Sequence, residues 1–109
     1  AARPKYTAAA ARLYELCGDF ERAVALLAQS GSSDVEVAEL CQRAYDHYRR
    51  AAAVQDAANK KRSADASNAE AVRYMQQAIA AYLKAGSSHF THAADLLESL
   101  GRSASREAC

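Results

Sequence analysis

Tyrosine recurs at a fixed interval in this chain: Tyr14, Tyr48 and Tyr82 lie 34 residues apart. Ala10, Ala44 and Ala78 keep the same interval. Two sequences, Ser33-Asp34-Val35-Glu36 and Ser67-Asn68-Ala69-Glu70, repeat at 34 residues as well. Each reads as a capping box, in which the Ser hydroxyl satisfies a backbone N–H at a helix start and the Glu reaches back. A period of roughly 20 to 50 residues constrains a fold more than any single motif. Each unit must then be one supersecondary element that buries its apolar face against its neighbour.

The units are helical. Half of the 109 residues are apolar, many of them alanine, and there are only four Gly and one Pro. Alanine costs least in a helix, and no segment alternates with the period of two that a strand needs, so the chain is all-α. Pro4 suits a first helical turn. Tyr6, Ala10, Leu13, Tyr14 and Cys17 follow as one helix face. Gly18 supplies a left-handed stop and Asp19 a cap for a second helix carrying Phe20, Ala23, Val24 and Leu27, which ends at Ser30-Gly31-Ser32. A third helix starts after Ser33 with Val37, Leu40, Cys41, Ala44 and Tyr48 on one side. Another opens at Ser67, presents Val72, Met75, Ala78, Ile79 and Tyr82, and closes at Gly86-Ser87-Ser88. The last carries Phe90, Ala93, Ala94, Leu97 and Leu100 up to Gly101, leaving residues 102–109 as a frayed tail. Between them "AAAVQDAANKKRSADA", residues 51–66, holds neither Gly nor Pro. It reads as a short, weakly packed helix or as the exposed end of a long one.

The second helices share a register too. With Ser87 and Ser88 taken as an insertion, "DFERAVALLAQSG" lies over "HFTHAADLLESLG". Phe20 then matches Phe90, Ala23 matches Ala93, and Leu26-Leu27 match Leu96-Leu97, while the middle copy keeps only Ala57 in the small-residue position. This helix–turn–helix period resembles the tetratricopeptide repeat. The residues that carry the likeness are Tyr14, Tyr48 and Tyr82 late in first helices, the turn Gly18-Asp19-Phe20, and Ala23, Ala57 and Ala93 in second helices. The family's Trp-Leu-Gly pattern and repeat-ending Pro are missing. The resemblance implies one domain over residues 4–101, with hairpins at about 4–31, 33–66 and 67–101 stacked as a right-handed α-solenoid. Similar wording occurs in scaffold subunits of intraflagellar and vesicle transport assemblies, which would make the chain a non-enzymatic interaction module. The alternative fold is a compact helical bundle. "RYMQQAIAAYLKAGSSHFTHAADLLESLG" also resembles the helix hairpin of microtubule-interacting-and-trafficking domains, which would imply a groove for amphipathic tail helices. Self-association through an exposed helix is a third class. The solenoid expects a chain break near Ala51 to Val54; one helix from Asp34 to Lys61 favours the bundle.

In the solenoid, first-helix residues off the tyrosine face line a concave groove. The candidates are Lys5, Arg12, Gln42, Arg43, Arg49, Arg50, Arg73, Gln76, Gln77 and Lys84, among neighbours that include Glu15, Glu39 and Asp46. Arginine captures carboxylates with two parallel bonds, so an acidic peptide or surface is the implied partner, against the plainer reading of solvated helix faces. Chaperone-tail binding is not expected, since only Arg73 sits where the family's carboxylate clamp has a base. His89 and His92 lack further metal ligands nearby, and His47 between aromatic residues reads as structural. Lys60-Lys61-Arg62 reads as a solubilising patch rather than a nucleic-acid contact, without interleaved aromatics for base stacking. No phosphate loop, nucleophile–base set or paired carboxylates point to catalysis or a cofactor.

A net charge of +1 advertises neither nucleic acid nor an anionic membrane, and the apolar runs are too interrupted to span a bilayer. Cys17, Cys41 and Cys109 cannot all pair and show no metal spacing, and the first two lie on expected apolar faces. These features suit a reducing, intracellular and cytoplasmic setting, with cytoskeletal or ciliary association open. A start without Met and a Ser/Arg-containing end read as a segment of a longer scaffold.

Overall fold

The computed structural model describes residues 4–108, and side-chain surroundings from residue 6 to 102. Five α-helices follow in order, α1 (Pro4–Leu16), α2 (Phe20–Gln29), α3 (Asp34–Ala57), α4 (Lys61–Ala85) and α5 (Phe90–Ala108), with a short 3₁₀ turn (Ser87–His89) before the last. No strand occurs among the described residues.

The first two junctions form as their residues dictate. Gly18 adopts φ +81°, its N–H donates to the Glu15 carbonyl at 2.9 Å, and the Asp19 N–H donates to the Tyr14 carbonyl at 2.8 Å. That paired arrangement satisfies the orphan carbonyls at the end of α1 and needs a left-handed residue, which glycine adopts without strain. The Asp19 carboxylate then accepts from the Arg22 N–H at 3.2 Å and starts α2. Ser33 caps α3 likewise, its hydroxyl accepting from the Glu36 N–H at 3.2 Å.

The middle of the chain departs from the expected hairpins. α3 runs unbroken through Ala51 to Val54, and the turn falls at residues 58–60. Asn59 stops the helix at φ +62°, donating to the Asp56 carbonyl at 3.0 Å, while the Lys60 N–H donates to the Gln55 carbonyl at 2.8 Å. Asparagine is the residue other than glycine that enters this conformation readily, so Asn59 performs the role that Gly18 performs at the end of α1. The second capping box is not used as a cap, because Ser67 sits inside α4. Its hydroxyl donates across to Gln55 Oε1 at 2.7 Å, and neighbouring Asn68 accepts from Arg49 at 2.7 Å. The boundary at residue 66 therefore lies within a helix, and the units at 33–66 and 67–101 merge into one long antiparallel pair. α5 also continues past Gly101 to Ala108 where a frayed tail was expected. Ala, Arg and Glu there are good helix formers, and Glu98 pairs with Arg102 one turn on.

Among the described residues, the backbone of each helix lies against only the helices adjacent to it in sequence. The Cα trace measures 49 × 32 × 13 Å, and its radius of gyration is 15.0 Å. A compact chain of this length is expected near ~13 Å, so the helices form a thin layer with two broad faces. Two apolar clusters hold it together. One joins α1 and α2 to the central pair through Ala11, Phe20, Ala23, Leu27, Leu40, Cys41, Ala44, Tyr74 and Ala78. The other seats α5 against Ala38, Met75, Ile79 and Tyr82 through Ala93. Beyond them, the outer half of the α3–α4 pair meets through small residues, with Ala52 and Ala64 both buried.

α1 turns its expected apolar face outward. Tyr6 and Leu13 are 71% and 64% exposed, Tyr14 and Cys17 are exposed too, and the residue it buries is Ala11. α1 packs on α2 through its small side, with Ala11 buried, and its larger apolar side chains lie away from that contact.

Candidate interaction surface

The tyrosines with a common spacing have three different surroundings. Tyr82 is buried, its hydroxyl donating to Gln42 Oε1 at 2.7 Å, with the His92 ring 4.2 Å away. Tyr48 stacks on Tyr74 at 5.7 Å, and Phe20 packs against His47, Tyr48 and Tyr74 at 5.0, 6.1 and 6.2 Å. His47, His89 and His92 all serve as aromatic neighbours, and among the described residues no group of three His, Cys, Asp or Glu side chains converges on a metal position. Burial pushes the Tyr74 hydroxyl up to about 12, with the charge that the Tyr48 hydroxyl takes on when ionised adding to the effect. It pushes the Cys41 thiol up to about 11, which leaves Cys41 protonated and unreactive at neutral pH.

The ten groove candidates do not assemble into one basic surface. Arg12 and Arg43 come together, both on Glu15. Arg43 grips that carboxylate with two bonds, Nε at 2.7 Å and Nη2 at 3.2 Å, while Arg12 approaches to 3.6 Å. The hydrogen bonds that Arg43 donates to Glu15 raise the Arg43 pKa further above its ordinary value. The pair links α1 to α3 across 28 residues of sequence. Arg73 is held by Glu70 at 2.6 Å and lies 5.0 Å from the Tyr74 ring centre. Arg50 donates back to the Asp46 carbonyl at 3.3 Å, and Arg49 holds Asn68. Gln42 is used by Tyr82, Gln77 is half-buried, and Gln76 and Lys84 are exposed on α4. The side chain of Lys5 lies outside the described residues.

Two clefts remain. The first, about 180 Å³, lies where α1, α2 and α3 meet, with Ala11, Leu27 and Leu40 as its floor and Arg12, Glu15, Glu36, Glu39 and Arg43 around it. Its rim carries two cations and three carboxylates, so the charge is mixed. The second, about 580 Å³, runs between the outer halves of α3 and α4, where Arg49 and Lys61 face Asp56 and Asp65 over Ala52 and Ala64. The Lys60-Lys61-Arg62 run is exposed around the turn into α4.

The chain matches no family model, and neither a curated protein nor a solved structure is significantly similar to it. Among the described residues no helix is long and apolar enough to cross a membrane. The geometry also exposes features that spacing alone did not mark, namely the clasp of Ser67 and Asn68 onto α3 and the bare apolar sides of α1 and α5. Asn59 followed by Lys was the signal available for the missed turn.

Proposed function

We propose that the chain is a non-enzymatic protein-interaction module, a layer of stacked helical hairpins belonging to a larger scaffold. The observation that carries this reading is the cleft between α1 and α3, where candidate residues from two first helices converge on an apolar floor with a charged rim. Such a concavity holds a peptide or helix by its apolar side chains and orients it by its charges. With Glu15, Glu36 and Glu39 beside Arg12 and Arg43, the occupant is a protein segment bearing both charge signs around an apolar residue. A strongly acidic peptide would meet three carboxylates there. The thin layer of sequence-adjacent helices supports the solenoid-like arrangement. The uninterrupted α3 supports the second reading, a bundle built on the α3–α4 pair. Roles in vesicle or intraflagellar transport stay a proposal that rests on the resemblance alone.

The test reverses the cleft without touching the core. Ala8 and Glu39 are exposed cleft residues with no ion pair of their own among those described. Ala8→Arg combined with Glu39→Lys should reduce capture of cross-linked partners at least about tenfold, the loss expected for blocking an anchor pocket. Far-ultraviolet circular dichroism should stay unchanged, and Gln76→Glu, outside the cleft, should capture normally. Full capture by the double variant would refute the cleft as the binding site.

A further inference from the structure

The cleft where α1, α2 and α3 meet has a closed ion pair toward one side and uncommitted charge toward the other. Glu15 holds the first side. Its side chain is 11% exposed, it accepts both bonds of the Arg43 fork, and Arg12 approaches it from α1. Both cations of the rim therefore already face a carboxylate of the chain itself. Ala8 on α1 and Glu36 on α3 line the other side together, with Glu39 between Glu36 and Arg43 along α3. Glu36 and Glu39 are exposed, and among the described residues neither side chain has an ion pair or a hydrogen bond. Toward that side the α1 wall is alanine, Ala8 and Ala11.

The rim thus looks mixed when its charges are counted and acidic when its pairs are removed. The floor beneath, Ala11, Leu27 and Leu40, is buried and apolar. Its volume of about 180 Å³ is below the roughly 300–1,000 Å³ of a small-molecule site, which suits a single side chain. An acidic side chain entering there meets two unpaired carboxylates. A purely apolar one covers the floor and leaves both carboxylates without a partner. Lysine and arginine satisfy floor and rim together, since their methylene stems lie on apolar surface while their charged heads stay at the wet edge.

We infer that the cleft takes a basic side chain of the partner segment, its stem on Ala11, Leu27 and Leu40 and its charge between Glu36 and Glu39. The inference rests on the cleft reading above and sharpens it: the apolar element at the centre of the segment is the stem of a lysine or arginine. The Arg43–Glu15 pair is then a fixed wall of the cleft. A carboxylate from outside gains little there, because it must displace Glu15 from a two-bond fork.

The test selects short peptides from a random phage-displayed library on the whole chain and measures the enriched ones by fluorescence anisotropy. They should share a lysine or arginine at one position. Replacing that residue by an uncharged isostere, norleucine for lysine or citrulline for arginine, should weaken binding at least about threefold, the effect of an exposed charge pair. Glu36→Gln combined with Glu39→Gln should bring a like loss to the basic peptide and none to its isostere. Both glutamates are exposed, and glutamine also serves at the third position of a capping box, so the fold should survive. Should the double variant lose helicity, Glu39→Gln alone gives the same readout. Ala8→Gln, which narrows the mouth of the cleft without changing its charge, reports whether a peptide sits there. Peptides weakened by Ala8→Gln that share an apolar or acidic residue overturn this inference and leave the cleft reading standing. A basic peptide indifferent to the loss of both glutamates overturns it in the same way. A selection that yields only peptides indifferent to Ala8→Gln, or none, overturns the cleft reading as well.

Discussion

Phe20 and Phe90 occupy the same position in the repeat, and the structure predicts that removing them has unequal consequences. Phe20 is 4% exposed, and its ring lies among His47, Tyr48 and Tyr74. Replacing a core Phe by Ala loses the transfer free energy and leaves a cavity, together about 3–5 kcal/mol. Phe90 is 50% exposed. Burying a whole Phe is worth about 1.5–3 kcal/mol, so half of one, with no cavity formed, is worth about 1 kcal/mol. A domain of this size has about 5–15 kcal/mol in total, so Phe20→Ala removes a large part of it and Phe90→Ala a small part. The assay is urea unfolding followed by circular dichroism. With a slope of about 1.5 kcal/mol per molar, Phe20→Ala should lower the midpoint by about 2–3 M and Phe90→Ala by under about 1 M. Losses equal within about 0.5 kcal/mol, or a larger loss for Phe90→Ala, would refute the packing described for α2 and α5.

Asn59 holds a left-handed conformation at φ +62°, so Asn59→Gly should leave stability within about 0.5 kcal/mol while Asn59→Val lowers it by about 1–2 kcal/mol. An unaffected Val variant in urea unfolding would mean that another feature stops α3. Alkaline stability follows from Tyr74, whose hydroxyl is held up to about 12 by burial against an ordinary 10, so the unfolded chain releases its proton first. The stabilisation is whole below pH 10, is lost as pH rises toward 12, and should appear as a falling urea midpoint in that window. Tyr74→Phe should flatten the fall, leaving the smaller parts from Tyr48 and Tyr82, which are raised in the same direction.

What could be read from the residues was what local chemistry decides. Gly18, Asp19 and Ser33 act on backbone groups within a few residues of themselves, and each performs its expected role. The helix break was misplaced because Asn59 is an ambiguous stop beside Gly, and because the Ser67 and Asn68 side chains can cap a helix or clasp a neighbour. Only the presence of α3 settles which. The groove candidates were chosen by face, and face does not reveal that Glu15 and Glu70 already occupy the forks of Arg43 and Arg73. Neither the tetratricopeptide likeness nor a transport role gains support from known proteins.

Burial sorts the repeat positions further than the register can. In the second helices, Ala23 and Ala93 are both buried, and Leu26 and Leu96 are both half-buried. Phe20, Val24 and Leu27 lose their cover when the register moves them to Phe90, Ala94 and Leu97. The first set keeps its burial because it faces a helix within its own hairpin, α1 for α2 and α4 for α5. The second set is buried on α2, which packs on α3, and exposed on α5, which among the described residues packs on α4 and the 3₁₀ turn before it. Equivalence in sequence therefore identifies which side chains serve the same purpose, and the difference in exposure identifies which of those purposes needs a neighbour. On α1 the same comparison singles out Tyr6 and Leu13, the counterparts of Leu40 and His47 on the face of α3 that receives α2.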